Sequence, residues 1–153
     1  MLIEETMENL RSQYRGELAA IETYEQALKK YENQPEEPAL QRMLVEHRDA
    51  ARRLGEALLD NGEPLPRGSG VWGTVTTTVE KVATMVNDKI PLELLRRGES
   101  MGVEGYDRLL ADDTLPDALF VELAALRSRC RRHISALDVM IERVPQIQSR
   151  PML

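Results

Sequence analysis

Two histidines and two glutamates are the residues of this sequence best suited by type and position to do chemistry. His47 and His133 are the only histidines of the chain, and Glu17 and Glu99 each follow a glycine in a repeated motif. Carboxylate oxygens and imidazole nitrogens are ligands that iron, manganese and zinc accept in proteins. The same groups can also satisfy one another without an ion, because imidazole hydrogen-bonds to carboxylate. Both interpretations require the four side chains to converge.

A sequence repeat places these residues in two matching halves of the chain. Residues 16–28 recur as residues 98–110. The two copies share a glycine, two glutamates and a tyrosine at equivalent positions: Gly16/Gly98, Glu17/Glu99, Glu22/Glu104 and Tyr24/Tyr106. Each copy is followed by a turn and by a second helical segment with a histidine on its apolar stripe. The sequence therefore predicts one helix pair used twice.

Each repeated glutamate is expected to lie on the apolar face of its helix. Glu17 and Tyr24 are seven residues apart, and so are Glu99 and Tyr106. Seven residues make nearly two helical turns, so each pair shares a face. A carboxylate on a core face is unfavourable unless a proton, a partner or a metal ion compensates it. We predict that both tyrosines point inward and that their hydroxyls reach the carboxylates across the core.

Hydrophobic periodicity predicts four helices that position this set. They span about residues 3–31, 38–60, 91–111 and 117–144. Asn33-Gln34-Pro35 and Asn61-Gly62 supply the first two stop signals, because proline lacks an amide and glycine accepts the left-handed conformation. The fold class predicted is all-α.

The connection between the second and third helices is different in composition. Residues 62–90 are predicted to form a long crossover that contains a short helix over 71–87, with Trp72 anchoring it on the bundle. A long crossover carries the chain back along a bundle, so two antiparallel hairpins would be joined in tandem. Residues 1–144 are assigned to one domain, and residues 145–153, with two prolines, to a loosely ordered tail.

These features resemble the ferritin-like superfamily, and rubrerythrin-type proteins in particular. The resemblance rests on the tandem hairpins, the long crossover and the motif Gly-Glu-x6-Tyr that begins at Gly16 and at Gly98. A closer resemblance, over nearly all of residues 12–142, is to an uncharacterised bacterial branch of that superfamily. The runs that carry it are residues 46–64, 68–73, 98–107 and 133–138. The resemblance implies a ferritin-like four-helix bundle, and the branch implies no particular activity.

The chain departs from the metal-binding pattern of that superfamily at two positions. Di-iron carboxylate bundles take one Glu from each of two helices and a Glu-x-x-His motif from each of the other two. In this chain Leu44 stands three residues before His47, and Cys130 stands three residues before His133. An intact di-iron centre is therefore not expected.

Two states of the site stay open on the sequence alone. In the first, one iron, manganese or zinc ion is held by two carboxylates and two imidazoles, with a thiol as substitute ligand and two tyrosines nearby. The residues concerned are Glu17, His47, Glu99 and His133, then Cys130, Tyr24 and Tyr106. In the second, the same residues form a buried hydrogen-bonded network with no ion.

Charge and composition limit the partners and the location. The formal net charge of −6 argues against nonspecific binding of nucleic acid and against attraction to anionic membranes. Cys130 is the single cysteine, and residues 1–15 are charged throughout, unlike a signal peptide. With no apolar run of membrane-spanning length, these features predict a cytoplasmic protein. Self-association and a protein partner both stay open.

Three classes of function follow from these residues. The first is a binding or stress-associated bundle protein without an intact di-iron centre. The alternative is a metal-binding protein or oxidoreductase that uses the reduced Glu/His site. The third is a cofactor-free enzyme in which the Glu/His pairs act as acid and base. The sequence indicates no substrate, so it leaves open whether the protein is an enzyme.

Overall fold

The computed structural model describes residues 1–69 and 89–148, and within them the chain forms four helices. These are α1 (Glu4–Lys30), α2 (Glu37–Asp60), α3 (Lys89–Leu110) and α4 (Asp117–Gln148). The described residues contain no strand. The predicted all-α, four-helix class is therefore confirmed. The predicted crossover helix over 71–87 and Trp72 lie outside the described residues.

The first two helices begin and end close to their predicted limits for local reasons. Lys29 and Lys30 occupy the last turn of α1, where positive charge is favourable beside the free carbonyls. Asn33 then takes a positive φ of 61°, a conformation that asparagine tolerates better than most residues. Pro38 stands in the first turn of α2, where a proline costs no hydrogen bond. Gly62, with φ of 78°, follows the end of that helix.

The last helix is longer than the periodicity predicted. It continues through Pro145 to Gln148 rather than ending at Val144. A proline removes one backbone hydrogen bond, and in this position that loss does not end the helix. Residues 149–153 of the predicted tail lie outside the described part of the chain.

Hydrogen bonds near the helix ends define the relative directions of three helices. The backbone amide of Leu2 donates to Asn61 Oδ1 at 3.2 Å, and the hydroxyl of Thr6 donates to a carboxylate oxygen of Asp112. The start of α1 therefore lies beside the end of α2 and also beside the end of α3. It follows that α1 runs antiparallel to both helices.

Ion pairs give the direction of the fourth helix. Arg127 pairs with Asp107 at 2.7 Å near the end of α3, and Arg96 pairs with Asp138 nearer its start. These two pairs make α4 antiparallel to α3. The closest packing is within α1–α2 and α3–α4, α1 also packs on α3, and α2 and α4 pack against each other least.

The apolar core lies in two layers, one toward each end of the bundle. Each fully buried leucine contributes about 1.5–3 kcal/mol to stability relative to an exposed one. One layer contains Tyr24, Leu28, Leu40, Leu44, Leu92 and Leu137 among others. The other contains Leu10, Leu54, Leu58, Tyr106, Leu109 and Leu123 among others. The four predicted site residues belong to neither layer, although all four are buried.

None of the helices within residues 1–69 and 89–148 combines the length and the apolar character that a bilayer crossing requires.

Candidate functional site

Each of the four helices contributes one buried polar side chain to a common site. Glu17 comes from α1, His47 from α2, Glu99 from α3 and His133 from α4, and none of them is more than 5% exposed. The sequence repeat explains this arrangement, because equivalent faces of the four helices turn toward one another. The structure thus brings together all four residues that the sequence predicted for the site.

The carboxylate of Glu99 is the centre of the site. Three groups converge on its Oε1: the hydroxyl of Tyr24, which donates at 2.8 Å, His133 Nδ1 at 3.1 Å, and His47 Nε2. Its second oxygen, Oε2, is buried and has no hydrogen bond of ordinary geometry among the described residues, although the thiol of Cys130 also interacts with this carboxylate. Since an unpartnered buried carboxylate oxygen is unfavourable, this atom is the part of the site least satisfied by the protein.

His47 connects the central carboxylate to a second one. Its Nδ1 lies 2.6 Å from Glu17 Oε2, while its Nε2 faces Glu99. The other oxygen of Glu17 accepts a hydrogen bond of 2.6 Å from the hydroxyl of Tyr106. Tyr24 and Tyr106 therefore cross the bundle in opposite directions, each to the glutamate of the other repeat. This is the inward orientation and the pairing that the sequence predicted for both tyrosines.

His133 also has a second carboxylate, and this one was not predicted. Its Nε2 lies 3.3 Å from Glu46 Oε1. Glu46 is the neighbour of His47 in sequence, and adjacent helical residues point about 100° apart. It was therefore not expected to share a site with the core face of α2. Its side chain reaches His133 from the edge between α2 and α4 and remains 36% exposed.

The two imidazole rings are close enough to share one ligand. Their centroids are 5.1 Å apart. One ligand atom each from His47, Glu99 and His133 can be chosen so that all three lie within 4.8 Å of one another. Glu17 is not a member of that group, because its carboxylate lies behind the ring of His47. Of the four predicted ligands, His47, Glu99 and His133 can therefore face one ion. Glu17 instead hydrogen-bonds to His47.

Cys130 lies beside the site with its thiol buried. It lines a small cavity of about 20 Å³ together with Glu17, His47 and Glu99. Its sulfur packs on α3, since a Cβ added at Gly102 would lie 3.4 Å from Sγ. Burial, followed by the charges of the two carboxylates, raises the pKa of this thiol. In the absence of an ion the group is therefore a thiol rather than a thiolate.

Gln13 is a second residue of this region that the sequence analysis missed. It is 6% exposed, and its Nε2 donates to the carbonyl oxygen of Gly102 at 3.1 Å. A Cβ on Gly105 would lie 1.8 Å from Gln13 Oε1, so only a glycine leaves room for this amide. The signal was present, because Leu10, Gln13 and Glu17 follow the three-and-four spacing of one helix face.

The chain belongs to a family of domains of unknown function. The match is to the family described as Domain of unknown function (DUF2383), and it covers residues 5–112. It therefore includes α1, α2 and α3, with Glu17, His47 and Glu99, and ends before His133 on α4. No curated protein and no solved structure matches the chain.

The charges of the site stabilise one another strongly. Burial alone would lower the pKa of His47, but the carboxylates of Glu99 and Glu17 outweigh it and raise that pKa well above its ordinary value. Burial alone would raise the pKa of Glu99, but His47 and His133 outweigh it and lower that pKa to about 2. Without an ion, a proton on His47 thus supplies the positive charge between the carboxylates.

The tyrosines remain proton donors in this environment. Burial, and then the charge of the glutamate that each one contacts, raises the pKa of Tyr24 and of Tyr106 well above the ordinary value. Each hydroxyl is therefore protonated at neutral pH and donates to its carboxylate. The tyrosines thus hold Glu17 and Glu99 in place as neutral donors.

Proposed function

We propose that the protein binds one divalent transition-metal ion, of iron, manganese or zinc, through His47, Glu99 and His133. The observation that carries this proposal is the double use of each imidazole. One nitrogen of each ring faces Glu99, and the other nitrogen lies against a further carboxylate, that of Glu17 or Glu46. In metal sites the second ring nitrogen is commonly held in this way, which fixes the tautomer and orientation of the ligand.

The donor set and the unsatisfied oxygen both support an ion at this place. Two imidazoles and one carboxylate are used by mononuclear iron(II) sites and by catalytic zinc sites. Within residues 1–69 and 89–148, Oε2 of Glu99 is buried without a hydrogen bond of ordinary geometry, and coordination would satisfy it. A bound ion would supply Lewis-acid or redox chemistry. Glu17 and Glu46 would orient the imidazoles of His47 and His133. His47 would lose its proton when the ion binds, because a coordinating imidazole is neutral.

The proposal is for one ion rather than two. Of the carboxylates that the structure describes, Glu99 is the one that faces both imidazoles. Leu44 and Cys130 stand where the Glu-x-x-His motifs of di-iron bundles would place further carboxylates. Two divalent ions would bring four positive charges into a buried site, and the carboxylates within reach would leave much of that charge uncompensated.

We also infer a ferritin-like arrangement of the helices. Its support is that α2 and α3 both end beside the start of α1. The end of α2 and the start of α3 therefore lie at opposite ends of the bundle, which is the separation that the crossover of a ferritin-like fold spans. The exchange of tyrosine and glutamate between the two repeats agrees with a pseudo-two-fold relation of the hairpins.

The alternative function is that of a metal-free bundle whose buried network only stabilises the fold, as in a binding or stress-associated protein. The observation that favours it is that all four ring nitrogens already have a carboxylate oxygen within 3.3 Å. The use of the Glu/His pairs as acid and base without a cofactor has less support, because the cavity of about 20 Å³ beside Glu17, His47 and Glu99 holds little more than a water molecule.

Metal content after dialysis tests the proposal against this alternative. Metal-free protein is dialysed against Mn²⁺, Zn²⁺ or anaerobic Fe²⁺, and bound metal is measured by mass spectrometry. We expect one ion per chain for wild type and for Glu56→Gln, a control that removes an exposed carboxylate of α2. Glu99→Gln and His133→Gln should retain no ion above background. Equal metal content in all four proteins would refute the proposed site.

Location and general partners follow from composition alone. We infer a cytoplasmic protein from the single cysteine, Cys130, which is buried and free and therefore gives no sign of an oxidising compartment. The net charge of −6 argues against nucleic acid as a partner. Self-association or a protein partner remains to be tested by the mass of the protein in solution.

A further inference from the structure

The second carboxylates of the two histidines have very different surroundings. Glu17, behind His47, is 4% exposed, and its free oxygen is held by the buried hydroxyl of Tyr106. Glu46, behind His133, is 36% exposed. Of the carboxylates that touch an imidazole in the described residues, Glu46 is therefore the one that also meets solvent. The second carboxylate of His47 is therefore buried, whereas that of His133 lies at the protein surface.

An arginine holds Glu46 in this position. Glu46 Oε1 faces His133, while its Oε2 lies 3.4 Å from Arg129 Nε. Arg129 in turn donates to Asp49 Oδ2 at 2.8 Å, and Asp49 is fixed by Arg52 and Arg53, each at 2.8 Å. These pairs are partly exposed, and such pairs are individually weak. Arg129 is thus a removable cover over the carboxylate and the imidazole beneath it.

The helices on this side of the bundle give the cover room to move. The pair is formed between Glu46 of α2 and Arg129 of α4, and these two helices pack against each other less than any other contacting pair in the described residues. Displacing Arg129 requires a change of side-chain rotamer and the loss of its partly exposed ion pairs with Glu46 and Asp49. A route through the opposite face, between α1 and α3, would have to pass Gly16 and Gly98 through the small cavity beside Cys130.

We propose that Glu46 is the residue through which a hydrated divalent cation enters and leaves the site, with Arg129 as its competing cation. This inference rests on the proposed function. The cation first replaces the guanidinium of Arg129 at the exposed carboxylate of Glu46. It then moves to the imidazole of His133 and the carboxylate of Glu99, and Arg129 pairs with Glu46 again behind it. Uptake and release share this route in opposite directions.

The rates of zinc uptake and release test this route. Metal-free protein is mixed with Zn²⁺ in a stopped-flow instrument with a zinc indicator, and release is followed with excess chelator. Glu46→Gln keeps the shape of the side chain and removes the capturing charge. We expect its uptake rate to fall by about tenfold, because local charge changes the encounter rate of ions by tenfold or more. Glu56→Gln is the control with the same charge change on the same helix, and its rate should stay at the wild-type value.

The second comparison tests the role of the cover. Arg129→Gln should speed both uptake and release severalfold and change the dissociation constant much less than either rate. Arg52→Gln is its control, because Arg52 pairs with Asp49 and Glu56 and does not touch Glu46. Its rates should stay close to wild type. A residue that only positions His133 would change release alone and leave uptake unaffected.

Three results would overturn the inference, and the third would also contradict the proposed metal site. Glu46→Gln with the same uptake rate as Glu56→Gln would exclude Glu46 as the entry residue. Gly98→Ala with slowed uptake would assign the route to the cavity between α1 and α3, since a Cβ there meets no atom within 4 Å and the fold should be kept. Wild-type protein that takes up no zinc at all would contradict the proposed function and this inference together.

Discussion

At the residue scale, the hydrogen bonds to the two carboxylate oxygens of Glu99 determine whether the site is complete without an ion. Its Oε1 is contacted by Tyr24, His47 and His133, while its Oε2 has no hydrogen bond of ordinary geometry from the described residues. Glu17 has a more even arrangement, with Tyr106 on one oxygen and His47 on the other. Two glutamates that are equivalent in the repeat are therefore unequal in the folded protein, and substitutions of their partners should differ in cost.

The two buried tyrosines provide a matched test of this inequality. Tyr106→Phe removes the donor to Glu17 Oε1, so a buried carboxylate oxygen is left unsatisfied at a cost of about 1–3 kcal/mol. Tyr24→Phe removes one of three groups that contact the same oxygen of Glu99, so its cost should be about 0.5–1.5 kcal/mol. Urea unfolding of the metal-free proteins measures both. A larger loss of unfolding free energy for Tyr24→Phe than for Tyr106→Phe would contradict the inference that Glu17 depends more on its tyrosine than Glu99 does.

The coupled charges of His47 and Glu99 give a pH dependence with a definite sign. The pKa of Glu99 is lowered from 4.5 to about 2, so its contribution is present above pH 4.5 and is lost as pH falls toward 2. The pKa of His47 is raised above 6.5, so its contribution is present below pH 6.5 and is lost as pH rises through the raised value. These two groups should stabilise the metal-free fold most between pH 4.5 and 6.5.

Thermal melts across pH, in the presence of a chelator, check this expectation. His47→Gln should be less stable than wild type, and its melting temperature should depend less on pH on both sides of that range. Other carboxylates also titrate in acid, so the comparison between the two proteins is the informative quantity. A variant whose pH profile is parallel to that of wild type would show that His47 and Glu99 do not share charge as the contacts indicate.

The residue scale also shows where sequence reasoning stops. The positions of Tyr24 and Tyr106 were predictable, because helical spacing alone fixes which residues share a face. Gln13 could have been found by the same spacing. Glu46 could not, because its contact with His133 depends on the distance and rotation between α2 and α4, which no local pattern encodes.

At the scale of elements, two glycines of α3 differ in how much space surrounds them. Gly105 faces Gln13, whose Oε1 would lie 1.8 Å from an added Cβ, whereas a Cβ on Gly98 meets nothing within 4 Å. Gln13 is buried and bonded to the backbone of α3, so it cannot move aside without losing that bond. The close approach of α1 and α3 beside the site therefore depends on the glycine at position 105.

Replacing each glycine with alanine should change the stability of the protein differently at the two positions. In a helix, Gly→Ala stabilises by about 1 kcal/mol when nothing obstructs the methyl group, and we expect this gain for Gly98→Ala. Gly105→Ala should be less stable than Gly98→Ala by about 1–3 kcal/mol, because the amide of Gln13 is displaced and left unsatisfied. Adding Gln13→Ala to Gly105→Ala should remove part of that difference. Chemical denaturation of the three variants decides this, and equal stability of the two single variants would contradict it.

Helix boundaries were the part of the elements best predicted from sequence. Asn33, Pro38 and Gly62 act where their backbone preferences indicate, so α1 and α2 end and begin close to the expected residues. The predicted end of α4 at Val144 was wrong, because the helix continues past Pro145 to Gln148. A proline removes only one backbone hydrogen bond, and the other hydrogen bonds of a helix can continue past it. The connection over residues 70–88, with Trp72, lies outside the described residues and stays a prediction.

At the scale of the whole molecule, a polar layer is held between two apolar layers of one bundle. The sequence repeat predicted that Glu and His from both halves would meet in this layer, and the contacts of the two histidines are not equivalent. His47 contacts the glutamates of both repeats, whereas His133 contacts Glu99 and the half-exposed Glu46. The two histidines of the duplicated sequence therefore differ in their second carboxylate, which is buried for His47 and partly exposed for His133.

A bound ion should stabilise this whole arrangement measurably. Zinc at a free concentration of 100 times its dissociation constant stabilises a folded protein by about 2.7 kcal/mol when the unfolded chain does not bind it. We expect the melting temperature of wild type and of Glu56→Gln to rise accordingly when zinc is added. His133→Gln should show no such rise and should already be less stable without metal. A rise of the same size in His133→Gln would place the stabilising zinc somewhere else on the molecule.

The most direct measurement of the central claim is anomalous diffraction from crystals of metal-free protein soaked in Zn²⁺. We expect one strong anomalous peak between His47 Nε2, His133 Nδ1 and the carboxylate of Glu99, at about 2.0–2.2 Å from each of these ligands. The second nitrogens of the two rings should keep their contacts with Glu17 and Glu46. A map in which the anomalous peaks lie only on exposed carboxylates, with the buried residues bonded to one another as in the metal-free protein, would contradict the metal site.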